Sequence, residues 1–222
     1  MVLLCPEFPR AKHRNLSGSC QPGAAQKGDR LSHNTWIHRA ARVLVRPLAN
    51  TPVTPNQLTA LRLASGLLAA WAFAQGTHGG AFWGALIFLV SMVLDRADGE
   101  LARLTGRTSP WGHKFDLWSD AVANAAAFVG IGVGAAAALG WVGPALGLAA
   151  GLGIVAVLAL VTRVEAARGA RAAELQGTGG FDPDDAMLVV PITMMLGLNE
   201  MLIVAAGVGA PAFAAAMWQK FR

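Results

Sequence analysis

The chain has 222 residues, of which 54% are hydrophobic and only 14% charged. An average soluble domain is about 25% charged, so the composition excludes a globule covered by water and a chain disordered along most of its length. The net charge of +5, from 18 Lys and Arg against 13 Asp and Glu, leaves a nucleic-acid binder open until the positions of those charges are considered.

Residues 1–32, rich in Pro, Gly, Ser and basic side chains, predict a disordered cytoplasmic tail. Its apolar start, Val2-Leu3-Leu4, is too short for a signal peptide. The only cysteines, Cys5 and Cys20, form no disulfide framework and match no zinc spacing. From His33 to Asn50, Trp36, Ile37, Ala40, Val43, Leu44 and Leu48 recur at helical spacing, with Arg39, Arg42 and Arg46 on other faces. That pattern predicts an amphipathic helix at 33–50, lying in the membrane interface with its arginines near anionic headgroups. Pro52 and Pro55 then break the chain, and Thr54 or Asn56 can cap the next helix.

The remainder, 51–222, holds three runs free of Asp, Glu, Lys and Arg: Leu63 to Leu94, Ala121 to Thr162 and Met201 to Gln219. A spanning helix needs about 20 mostly apolar residues. The first run breaks at Gly76-Thr77-His78-Gly79-Gly80 and the second at Gly140-Trp141-Val142-Gly143-Pro144, so each reads as a helical hairpin. The expectation is an all-α polytopic membrane protein with six transmembrane helices, at about 56–75, 80–104, 113–138, 142–166, 184–198 and 200–218. Lys and Arg gather in the N-terminal stretch, in the 2–3 and 4–5 connections (Arg103, Arg107, Lys114; Arg163, Arg168, Arg171) and at the end (Lys220, Arg222). The other connections have none. The positive-inside rule then places both termini in the cytoplasm of a bacterial-type inner membrane. The basic balance is therefore a topology signal, and no nucleic-acid partner is expected.

Four carboxylates interrupt this pattern. Asp95 and Asp98 are three apart and Asp116 and Asp120 four apart, so each pair shares a helix face. Antiparallel neighbours with a short connection bring both faces to the cytoplasmic end. A carboxylate at the centre of a membrane helix costs about 2.5–3.5 kcal/mol on insertion scales, less toward the boundary. Converging carboxylates repel unless a cation joins them, and hard divalent ions such as Mg²⁺ or Mn²⁺ prefer carboxylate oxygen. Such an ion at a membrane surface leaves positions for phosphate. Gly99 and Ala102 let a ligand approach the backbone, and Arg103 can pair with a phosphate.

Residues 95–120 read DRADGELARLTGRTSPWGHKFDLWSD. This resembles the CDP-alcohol phosphotransferase (CDP-alcohol phosphatidyltransferase) signature, D-x2-D-G-x2-A-R followed after eight residues by G-x3-D-x3-D. Pro55-Asn56, Thr59 and Arg62 resemble the start of the family's first helix, and the resemblance extends over about 33–218. It implies Asp95, Asp98 and Asp116 as main metal ligands, with Asp120 contributing and also acting as general base. It implies a CDP pocket of Asp95, Asp98, Gly99, Ala102, Arg103, Gly112 and Asp116. It further implies two divalent ions, a homodimer, and a CDP-diacylglycerol or other CDP-alcohol donor whose substituted phosphate passes to an alcohol with release of CMP. Arg163 and Arg168 are the candidates for acceptor binding. Where inositol-phosphate-using members resemble R-x-E-R, this chain has Phe181-Asp182-Pro183-Asp184-Asp185, which argues against an inositol phosphate acceptor of the usual kind and leaves a neutral or amino-alcohol open. The rival readings are a small membrane transporter and a UbiA-type prenyltransferase using the aspartates for a cation or a diphosphate. The transporter would carry its aspartates near mid-membrane, and the prenyltransferase a second Asp-rich motif.

Overall fold

A computed structural model describes residues 45–168 and 187–221, with the side chains of 165–168 excepted. The proposed tail, most of the interfacial helix and the acidic stretch at 182–185 lie outside the described residues. Every long element is helical, and no strand occurs among the described residues.

Helix α1 spans Pro55–Ala74. Thr54 is its N-cap in extended backbone, and the Thr54 N–H donates to Gln57 Oε1 at 2.9 Å. Pro55 opens the helix, where a missing N–H costs nothing. Helix α2, His78–Thr105, is capped by Thr77, whose hydroxyl accepts from the Gly80 N–H, and ends at Gly106 with φ 66°. Helix α3, Pro110–Gly134, is capped by Ser109 with Pro110 in its first turn. It therefore starts three residues before the expected 113. A single helical turn, Ala136–Leu139, separates it from α4, Val142–Arg168. Helices α5, Val189–Met195, and α6, Asn199–Phe221, follow.

Five of these, all but α5, are long and apolar enough to cross a membrane. The described part of the expected fifth helix is the seven-residue α5, whose expected start at 184 lies outside the described residues. Gly197, at φ 72°, separates α5 from α6. Exposed tryptophans mark both ends of the bundle: Trp71, Trp83 and Trp141 at one, Trp111, Trp118 and Trp218 at the other. Two such belts suit the two faces of a bilayer.

Helix α1 packs against α2 and α3, α3 against α4, α4 against α6, and α5 against α2. The core is formed by Phe73, Phe88, Phe128, Ile131 and Ile203 among many alanines. A second, smaller cluster joins Val45 to Leu58, Ala97 and Leu101, with Leu48 and Val53 packed on it. The end of the expected interfacial segment is thus tied to α1 and α2, while Arg46 is exposed.

Small residues set the helix spacing, as they do where lipid gives no hydrophobic drive to association. A Cβ at Gly130 would overlap the Ala70 carbonyl of α1, and one at Gly66 would stand 2.7 Å from the Ala123 Cβ. Gly209, on α6, has open space around it. Gly130→Val is therefore expected to lower unfolding stability in detergent by about 1–3 kcal/mol or more through forced separation of α1 and α3. Gly209→Ala is expected to be neutral or stabilising by about 0.5–1 kcal/mol. Thermal unfolding of the two purified variants beside the wild type checks both.

Candidate metal centre

The four-residue loop from Gly106 to Ser109 returns the chain so that the end of α2 lies beside the start of α3. The start of α1 completes the corner. One oxygen from each of Asp95, Asp98 and Asp116 lies within 4.8 Å of the other two. The i, i+3 spacing on α2 points two carboxylates toward α3, and Asp116 answers from nearly two turns inside α3.

Neighbours fix each carboxylate differently. Asp98 is buried, and its Oδ2 accepts from the Thr59 hydroxyl of α1 at 2.5 Å. Asp116 Oδ1 is buried with no hydrogen-bond partner among the described residues. An orphaned buried acceptor costs about 1–3 kcal/mol, and a cation would remove that cost. Asp120 lies outside the group of three. Its Oδ1 accepts from Arg62 Nη2 and, at 2.7 Å, from Asn124 Nδ2.

Arg62 is the cation on which this corner turns. It belongs to α1 and is only 3% exposed. Its Nε lies 3.0 Å from Asp95 Oδ1, while Nη2 is bound to Asp120. One guanidinium thus joins a carboxylate of α2 to one of α3. The Arg62 carbonyl accepts from the Ser91 hydroxyl of α2 at 2.9 Å, which fixes the backbone beneath the charge.

Asp95, Asp116 and Asp120 open on a cleft of about 270 Å³. Arg62, Asp95, Arg96, Asp116, Asp120 and Asn124 are its charged and amide lining, and Phe88, Met92, Leu158 and Met187 supply apolar wall. The donor set fits a divalent cation, since three hard oxygen ligands converge and one of them has no other partner.

The remaining expected site residues spread outward from the cluster. A Cβ on Gly99 would meet nothing nearer than the Arg103 guanidinium at 3.9 Å, so the backbone there is open to a ligand. The Arg103 side chain is 48% exposed and pairs with Glu100 at 2.9 Å. Ala102 is half-buried between them in sequence. The Gly112 N–H donates to Ser109 Oγ, and a Cβ there would stand 3.1 Å from Asn56 Oδ1, so this glycine also admits α1 against the start of α3. Arg163 is exposed on α4, beyond the cleft-lining Leu158. The Arg168 side chain is outside the description.

Sequence reasoning missed the importance of Arg62, Ser91, Arg96 and Asn124. The available signals were a lone arginine at the edge of an apolar span and an asparagine four residues after Asp120, on the same helix face.

A family model described as CDP-alcohol phosphatidyltransferase matches residues 52–219. Among curated proteins, the chain is 34% identical over 164 residues to a "Bifunctional IPC transferase and DIPP synthase" of Rubrobacter xylanophilus, covering 72% of this chain and 35% of that protein. It is 35% identical over 89 residues to an "Archaetidylinositol phosphate synthase" of Pyrococcus horikoshii, covering 40% of this chain and 46% of the relative. It is 37% identical over 78 residues to a "Phosphatidylinositol phosphate synthase" of Streptomyces avermitilis, covering 35% of this chain and 31% of the relative. The matched region therefore spans less than half the length of each of these relatives. The family match sets aside the transporter and prenyltransferase readings.

Asp95→Asn, Asp98→Asn and Asp116→Asn are each expected to weaken Mn²⁺ binding by about tenfold or more, because each removes a charged ligand. Asp120→Asn is expected to weaken it least. Mn²⁺ electron paramagnetic resonance titration of the purified variants measures the difference without requiring turnover.

Proposed function

The chain belongs to the CDP-alcohol phosphatidyltransferase family, and from that premise we propose that it moves a phosphatidyl group from CDP-diacylglycerol, or another CDP-alcohol, to an alcohol with release of CMP. The observation that carries this reading is the division of the acidic corner. Three carboxylates converge within 4.8 Å, and a fourth, Asp120, is anchored separately on the same cleft.

Asp95, Asp98 and Asp116, with Asp120 contributing, would hold divalent cations, Mg²⁺ or Mn²⁺. Bound there, these ions would neutralise the donor diphosphate and the charge left on departing CMP. Gly99 leaves room for the nucleotide against the α2 backbone, and Gly112 and Ala102 border the same region. Arg103, half-exposed and paired with the buried Glu100, can turn its fork to a phosphate. Asp120 takes the proton of the acceptor hydroxyl as the new P–O bond forms and the P–O bond to CMP breaks. The Lys and Arg distribution supports a cytoplasmic active site and cytoplasmic termini, and the family resemblance supports a homodimer.

For the acceptor, the relatives favour a phosphorylated polyol. Two of them are named for an inositol phosphate product, against the expectation drawn from Asp182–Asp185. Arg163, exposed on α4 five residues beyond the cleft-lining Leu158, is a candidate for an acceptor phosphate, with Arg168 following it in sequence.

Asp120→Asn tests the assignment of the base. General-base catalysis is worth about 10²–10⁴ in rate, so CMP release should fall by that factor while binding of the CDP donor is kept. A variant that releases CMP at the wild-type rate would sink the assignment.

A further inference from the structure

Asn124 stands in a charge-free run of α3, one turn deeper in the bundle than Asp120. It lines the cleft, beyond the carboxylates and across from the apolar wall. Its Nδ2 donates to Asp120 Oδ1 at 2.7 Å. An ionised carboxylate only accepts, so this bond fixes which end of the amide points at Asp120. The other end, the carbonyl Oδ1, is turned away from it. Among the described residues no donor reaches that oxygen, and it is not buried. It is therefore an open hydrogen-bond acceptor on the cleft wall, beside the group proposed to take the acceptor's proton.

We propose that Asn124 is a specificity-determining residue whose Oδ1 accepts a hydrogen bond from the hydroxyl next to the reacting one, so that the acceptor is a polyol with neighbouring hydroxyls. The inference rests on Asp120 being the base. Asp120 and Asn124 touch, so a molecule with one hydroxyl on Asp120 must bring its adjoining atoms to Asn124. An ammonium can also donate to a carbonyl, but this cleft disfavours one. Arg62 and Arg96, both buried, add two permanent positive charges to its lining, while the charge of the aspartates is set against the divalent cations. A neutral or phosphorylated polyol meets no such repulsion. A site that hydrogen-bonds one substrate hydroxyl rejects the analogue lacking it, because its own polar group is then left unpaired.

The test uses the purified full chain with CDP-diacylglycerol and Mg²⁺, and reads kcat/KM for each acceptor from CMP release. Glycerol phosphate and inositol phosphate are compared with analogues lacking the hydroxyl beside the reacting one: 3-hydroxypropyl phosphate and the monodeoxy-inositol phosphates. The wild type is expected to favour a polyol over its deoxy analogue by about tenfold or more. Asn124→Leu, similar in size but without polar atoms, should bring that ratio to about one. Asn124→Asp keeps an acceptor oxygen but loses the amide that donates to Asp120. It should slow both acceptors and keep the ratio, and a lost ratio would count against the proposal, so it gives the test if Asn124→Leu fails to fold. A wild type indifferent to the missing hydroxyl would overturn the proposal, as would preference for serine or ethanolamine over both polyols. An Asn124→Leu variant that is slowed yet keeps the wild-type ratio would overturn it in favour of a residue that only holds Asp120. Full activity of Asp120→Asn would instead remove the base reading beneath it, and absence of CMP with every acceptor would remove the transfer reading, so these failures are separable.

Discussion

The buried guanidinium of Arg62, held between Asp95 and Asp120, is the interaction on which the corner of α1, α2 and α3 depends. Carboxylates at the edge of an apolar bundle repel one another and lose hydration, so each needs a partner. Arg62 answers two of them from a third helix. Thr59, one turn earlier on α1, answers Asp98. Helix α1 is in this sense the counter-charge for the other two, and its packing against both follows from chemistry as well as from shape. Breaking a buried ion pair from one side typically costs about 3–5 kcal/mol, so this corner is sensitive to any change that moves α1.

Close approach is the condition for those contacts. Arg62 can touch α2 and α3 together only because Gly66 admits Ala123, and Gly130 and Gly134 admit the carbonyls of Ala70 and Phe73. The glycines lie deep in the bundle and the charges at its end, yet both belong to one arrangement. The metal site is assembled from helix ends, and the spacing of those helices is set several turns away.

Much of the site was legible in the sequence because carboxylates are rare in an apolar chain and their spacing matches the helical period. Asp95, Asp98 and Asp116 converge as that spacing requires. Four helices lie close to their expected positions, since glycine breaks and charge-free runs mark them. Helix α3 starts at Pro110 and not at 113 because Ser109 caps it and Pro110 opens it, a signal present in the sequence. Less was legible where meaning comes from contact across helices. Asp120 carries the same side chain as its three neighbours, and nothing in one dimension shows that Arg62, 58 residues earlier, binds it. Ser91 reads as an ordinary polar residue within an apolar run until α1 is placed beside it.

The central claim is that this acidic corner carries metal-dependent transfer from a CDP-linked donor. CMP release by the purified wild-type protein tests it most directly, with CDP-diacylglycerol, Mg²⁺ or Mn²⁺, and in parallel serine, glycerol phosphate, inositol and inositol phosphate as acceptors. The account predicts CMP formation that needs both a divalent ion and an alcohol, is greatest with a phosphorylated polyol and stops with EDTA. CMP release that continues undiminished in EDTA would contradict it.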